Sequence, residues 1–167
     1  MSSREHKKKA PSRIRTGVIS ISSSRTLAED ESGHWICREA RKEGHQVVAH
    51  EIAPDNIDLI RSAVCRVINR HQPHLLILTG GTGIAGRDVT VEAMRPLFRK
   101  ELSSFGVAAA QLSFEKIDSA AILSRTTAGL FGGTAVFCLP GSKDACKLLC
   151  RGLIFPEAGH LAKHLQE

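Results

Sequence analysis

Ten consecutive residues, Thr79-Gly80-Gly81-Thr82-Gly83-Ile84-Ala85-Gly86-Arg87-Asp88, combine types that rarely meet without a chemical reason. Four glycines remove the Cβ atoms that keep a ligand away from the main chain, and they admit positive φ angles. Amides exposed in this way form a concavity that attracts anions, phosphate oxygens above all. A plain tight turn needs only one glycine. Asp88 adds a second element, because a carboxylate just past a phosphate cradle repels the ligand unless a cation lies between them. Magnesium held by one or two carboxylates plus substrate phosphates meets that requirement. Capping of the next helix, or pairing with Arg87, is the competing use of the same side chain.

Two nucleotide motifs fail on spacing. Gly81-x-Gly83-x-x-Gly86 matches the dinucleotide fingerprint in form only. Arg87-Asp88 follows where a helix should open, and no clear strand comes within about twenty residues. A Walker-type loop is excluded because no Gly-Lys-Ser/Thr is present.

Other candidates are weaker taken singly. Asp55 follows a strand, so it either approaches the same sheet edge or caps a helix. Pro140-Gly141-Ser142 lies where a strand gives way to a helix, a place whose free amides favour negative charge. Ser124-Arg125 offers a hydroxyl and a guanidinium. Cys146-x3-Cys150 followed by His160-x3-His164 has the outline of a zinc finger, but nine residues separate the pairs instead of about twelve. The cysteines also fall on an apolar helix face with Leu149 and Leu153, so core packing is the better reading. No Ser/His/Asp or Cys/His nucleophile set stands out.

The elements that must carry these residues alternate. Gly17 to Ser22, Gln46 to Ile52 and His74 to Thr79 read as strands, the last apolar on both faces as in the middle of a parallel sheet. Ser32 to Glu43 and a segment opening at Asp55 or Asn56, with Ile57, Ile60, Val64, Val67 and Ile68 at helical spacing, read as the intervening helices. This β-α-β-α-β order predicts a three-layer α/β fold with a doubly wound, mostly parallel sheet. Further helical segments are expected over Val91–Phe98 and Leu102–Leu112. Thr126–Leu130 and Thr134–Leu139, joined through Gly132-Gly133, form a hairpin that adds one antiparallel edge strand. A last helix follows Ser142, and Pro156 kinks or restarts it. The glycine turn then falls at the carboxyl end of a central strand, where open α/β sheets bind ligands.

The net charge of +6 is concentrated at one end. Six basic residues and one acid within the first fifteen positions account for five of those charges. Residues 1–13 are therefore expected to be a disordered basic tail, with a single domain over 14–167. With no tyrosine and one tryptophan, stacking platforms are scarce, which argues against a nucleic-acid binder. The five cysteines are an odd number and widely spread, as for reduced thiols. No run is apolar enough to span a bilayer and no signal-peptide segment is evident, so a cytoplasmic location is expected.

From about Arg15 to His160 the chain resembles the MoaB/MogA-type molybdopterin-binding proteins of molybdenum cofactor biosynthesis. The resemblance rests on Thr79–Glu92 (TGGTGIAGRDVTVE), Leu112–Gly129 (LSFEKIDSAAILSRTTAG) and Cys138–Ser142 (CLPGS). It implies molybdopterin as the ligand and, in active members, magnesium-dependent adenylyl transfer from ATP to the molybdopterin phosphate. It implies further that Asp88 is the catalytic magnesium-site aspartate and Asp55 a second functional aspartate. Thr79, Gly80, Gly81, Thr82 and Gly83 become the phosphate-binding turn, Ser124 a molybdopterin contact, and Pro140-Gly141-Ser142 a second turn at the pocket. A homotrimer or homohexamer is implied, and a non-catalytic molybdopterin carrier of the same pathway is the alternative. Two departures stand out. The family often has Ser-Asp-x-Arg after the first strand, where this chain has Ser22-Ser23-Ser24-Arg25. Proline is frequent before Arg87, where this chain has Gly86.

Overall fold

The computed structural model describes residues 14–166. The basic tail expected over residues 1–13 lies outside the described residues. Six strands, β1 (Arg15–Ile21), β2 (Gln46–Ala53), β3 (Leu75–Thr79), β4 (Lys100–Glu101), β5 (Thr127–Phe131) and β6 (Thr134–Leu139), form one sheet in the order β2-β1-β3-β6-β5-β4. β1, β2, β3 and β6 run parallel, and β5 runs antiparallel to β6. The antiparallel strand is therefore present as expected, but the two-residue β4 flanks it and takes the edge. Two residues are too few to show strand alternation in a sequence.

Helices cover both faces. On one side α1 (Glu31–Lys42), α4 (Ser103–Ile117), α5 (Lys143–Leu149) and α6 (Phe155–His164) pack with Leu75, Ile77 and Phe137. On the other, α2 (Ile57–His71) and α3 (Thr90–Met94) pack with Ile19, Leu76 and Leu78. Alternate residues of β3 thus enter different cores, which is why its sequence is unbroken in apolar character. The chain winds from β1 outward to β2, then crosses back to β3 on the other side of β1. That reversal opens a crevice beyond the carboxyl ends of β1 and β3.

Several boundaries differ from expectation for local reasons. Asn56, not Asp55, caps α2: its Oδ1 accepts from the amides of Asp58 and Leu59 at 3.0 and 3.1 Å. The segment expected as one helix over Val91–Phe98 is α3 followed by a 3-10 turn, Arg95–Leu97, since Pro96 has no N–H to continue the ladder. α4 runs on to Ile117. Between α5 and α6 the backbone widens into a π-helical stretch, Cys150–Ile154, which sets Pro156 in the first turn of α6 where its missing N–H is not required.

All five cysteines are unpaired, and Cys146 and Cys150 are buried in the core as expected of packing residues. Burial pushes the Cys138 thiol up to about 12, so this group is inert at neutral pH. Among the described residues no helix is long and apolar enough to cross a membrane.

Candidate functional site

The crevice at the reversal point is a cleft of about 850 Å³. Gly80 to Gly83 form its floor. Ser22 to Arg25 from the end of β1, Asp55 from the end of β2, Asp88, Ser124 and Pro140 to Ser142 form its walls. Residues from five separate stretches of chain thus open on one space. Thr79 is the exception: its side chain is buried and turned back, donating to the Pro140 carbonyl at 2.9 Å and meeting Cys146 Sγ at 3.2 Å. It ties the glycine turn to the 140–142 turn instead of facing the cleft.

Gly80 and Gly81 have φ of +106° and +67°, in the region that L side chains avoid. A Cβ on Gly80 would also stand 2.5 Å from the carbonyl oxygen of Ile21. The turn is held from behind. Gly80 donates to the Leu139 carbonyl at 3.0 Å, while the Thr90 amide and hydroxyl donate to the carbonyls of Gly81 and Gly80 at 3.0 and 2.8 Å. Among the described residues, the amides of Gly81, Thr82 and Gly83 have no hydrogen-bond acceptor. Three unused donors on a cleft floor are a geometry suited to an anion.

The two aspartates differ in their attachments. Asp88 accepts from the Ala85 amide through Oδ2 at 2.9 Å, closing its own loop. Neither competing use of this side chain is realised: Val89 occupies the N-cap position of α3, and no Arg87–Asp88 ion pair forms among the described residues. Asp55 is freed from capping by Asn56. Its Oδ2 instead accepts from the amide and hydroxyl of Ser23 at 2.8 and 2.7 Å. Ser23, the residue standing where the family often has aspartate, is therefore a donor that ties the loop after β1 to the loop after β2. A carboxylate there would face Asp55 with like charge. Arg25 and Arg87 also line the cleft, adding positive charge that sequence reasoning had not assigned to it. The signal was present, since each lies next to a candidate loop.

Ser124 lines the cleft and shares a hydrogen bond with Thr126 Oγ1 at 2.9 Å. Its neighbour Arg125 does not offer its guanidinium to a ligand. Nε donates to the Gly83 carbonyl and Nη2 to the Asp88 carbonyl, each at 2.9 Å, and the group pairs with Glu92. The hydrogen bond from Arg125 holds the Glu92 carboxyl below its ordinary range. Arg125 thus clamps both ends of the loop that carries Asp88. Lysine has one point charge and cannot bridge two carbonyls and a carboxylate together. Arg125→Lys is expected to weaken ligand affinity about tenfold while the fold stays intact. Titration calorimetry with ligand, beside a thermal melt, checks this; unchanged affinity would rule the clamp out. In the second turn, Ser142 Oγ accepts from the Ala145 amide at 3.2 Å and so caps α5. Gly141 packs directly against Gly80, where an added Cβ would lie 3.3 Å from the Gly80 Cα.

An open, doubly wound α/β sheet with a cleft at its reversal point is the class of fold in which ligands meet the carboxyl ends of the strands. A family profile described as "Probable molybdopterin binding domain" matches residues 17–160, and the chain belongs to this family of molybdenum cofactor biosynthesis proteins. It is 44% identical over 168 residues to molybdenum cofactor biosynthesis protein B of Bacillus subtilis (strain 168), covering 100% of this chain and 99% of that protein. It is 39% identical over 169 residues to the molybdopterin adenylyltransferase of Pyrococcus furiosus, covering 98% of each. The crystal structure of the tungsten cofactor synthesizing protein MoaB from Pyrococcus furiosus superposes with a TM-score of 0.85 at 37% identity, covering 95% of this chain and 100% of that one.

Proposed function

We propose that the protein transfers an adenylyl group from ATP to the terminal phosphate of molybdopterin. The observation that carries this reading is the meeting of three unpaired amides with two carboxylates on one cleft. In the reaction a molybdopterin phosphate oxygen attacks the α-phosphorus of ATP. The bond from that phosphorus to the bridging oxygen breaks, and pyrophosphate leaves. Both reactants are polyanions, so the chain's task is to hold them in line and offset their charge. The Gly81–Gly83 amides receive phosphate oxygens, Ser124 and the 140–142 turn orient the bound molecule, and Arg25 and Arg87 add positive charge.

Asp88 and Asp55 would hold a magnesium ion, which supplies charge neutralisation to the phosphates when bound. The donors suit it. Each carboxylate is a hard oxygen ligand, and Oδ1 of each has no hydrogen-bond partner among the described residues. No group of three or more His, Cys, Asp or Glu that could hold a metal occurs among the described residues. That fits magnesium, which takes few protein ligands beside phosphate and water.

The test supplies purified protein with molybdopterin and MgATP and follows adenylylated molybdopterin and pyrophosphate by chromatography. Product is expected. A folded protein that binds molybdopterin and forms none would leave the carrier reading in its place. A homotrimer or homohexamer belongs to the same proposal. Val107, Phe114, Ile117, Ile122 and Leu123, all on α4 and the turn after it, are large apolar residues left exposed on one chain. Light scattering should return three or six times the 18.1 kDa chain mass, and a monomer would overturn this part. Five unpaired thiols support a reducing, cytoplasmic setting.

A further inference from the structure

Behind the cleft floor, three elements converge on one carboxylate. Asp30, just before α1, is 2% exposed. Its Oδ2 accepts from Ser20 Oγ of β1 at 2.5 Å and meets His50 Nε2 of β2 at 2.7 Å, while its Oδ1 accepts from the Gly33 amide at 3.0 Å. Gly33 has no alternative there. A Cβ would collide with Asp30 Oδ2 and His50 Nε2 and lie 2.7 Å from Ser20 Oγ. Two residues after Asp30 and next to Gly33 in sequence, Ser32 donates through Oγ to the Gly141 carbonyl at 2.9 Å. A polar space of about 20 Å³, room for one water, lies between this group and the cleft and is lined by Ser20, Asp30, Ser32, Thr79, Gly80 and Gly141.

Resting on the reading of the cleft as the molybdopterin site, we infer that Asp30, gripped by His50 and Ser20, is a positioning residue that fixes the 140–142 turn against the glycine turn through Ser32. Asp30, His50 and Ser20 do not line the cleft itself. Asp30 sets the start of α1, and from there Ser32 holds the turn whose Gly141 packs on Gly80. Burial works against the Asp30 carboxylate, yet the hydrogen bonds from His50, Ser20 and Gly33 outweigh it and keep the group below its ordinary range. Hydrogen bonds to Asp30 and then Cys37, only partly opposed by burial, push His50 up to about 9. Asp30, Cys37 and the edge-on ring of His34 are the titratable groups facing His50. Because its pKa is raised on folding, the stabilisation from His50 is complete below about 6.5 and is lost as pH rises through about 9. For Asp30 the sign is opposite, and its share is lost in acid.

Hydrogen–deuterium exchange on the full ligand-free chain tests this, with molybdopterin affinity as the second readout. Ser32→Ala removes one hydroxyl and is expected to speed exchange about fivefold at the bonded amides of the two turns, those of Gly80, Ala145 and Cys146, with the amides of α2 unchanged. The molybdopterin dissociation constant should rise about tenfold, the factor given by about 1.4 kcal/mol. His50→Gln should act likewise, and His50→Lys, which restores a cation, should return both readouts towards wild type and remove the loss of stability near pH 9. Wild-type exchange in Ser32→Ala, or faster exchange spread evenly over the chain, would overturn the inference. A wild-type protein that binds no molybdopterin would instead remove the reading of the cleft, while the exchange pattern still decides the role of Asp30.

Discussion

Replacing Asp88 by asparagine is expected to lower adenylyl transfer at least a hundredfold, about 3 kcal/mol of transition-state stabilisation, with molybdopterin binding changed less than about threefold. The substitution separates charge from shape. Asparagine keeps an oxygen able to accept from the Ala85 amide, the bond that closes the loop at 2.9 Å in the wild type. The fold of the loop should therefore survive, and what disappears is one negative charge on the cleft wall. Molybdopterin is itself an anion, so removing a carboxylate does not weaken its hold on the amides. ATP turnover is different, because Asp88 would hold the magnesium ion that offsets charge on the phosphates, and asparagine would hold it poorly. Single-turnover rates and equilibrium dialysis on the same preparation separate the two effects. Undiminished transfer by Asp88→Asn would exclude the assigned role. Under the carrier reading, neither binding nor pathway output would move.

Gly80→Ala is expected to damage both stability and binding. A residue with a Cβ at φ +106° carries backbone strain, and the new atom would sit 2.5 Å from the Ile21 carbonyl oxygen. Backbone cannot yield as a flexible side chain can, so the two penalties together cost about 3 kcal/mol. For a chain of this size that lowers the melting temperature by about 10 °C. The damage reaches function because the turn must shift, and the Gly81–Gly83 amides lose their common direction. Gly133→Ala is a useful control. It also replaces a positive-φ glycine, at +77°, but an added Cβ meets nothing within 4 Å, and the residue sits at the opposite end of β6 from the cleft. It should cost about 1–2 kcal/mol and leave ligand affinity unchanged. Equal loss of affinity in both variants would mean that the turn geometry is not what binds the ligand.

Much of the fold was legible because it rests on local signals. The unbroken apolar run of β3, the helical spacing of α2 and the glycine pair between β5 and β6 each report their own backbone state. The glycine turn could be placed on the sheet because the alternation of strands and helices leaves few topologies. Boundaries set by competition were less legible. Asp55 and Asn56 are both good caps, and only the folded chain shows that Ser23 claims the first, leaving the second for α2. The strand β4 exists because β5 offers an unpaired edge, which no two-residue stretch can announce.

From the sequence alone came the glycine turn, the carboxylate beside it, the α/β class and the family, since these follow from residue types at fixed short spacing. Tertiary structure decided the partners. Arg125 turned from the ligand to the loop carbonyls, Thr79 turned inward, and Asp30 met His50 and Ser20 across three elements. A side chain's hydrogen-bond partner depends on which strands cross and in what register. Residues 20 to more than 100 positions apart are brought within 3 Å of one another only when the sheet closes.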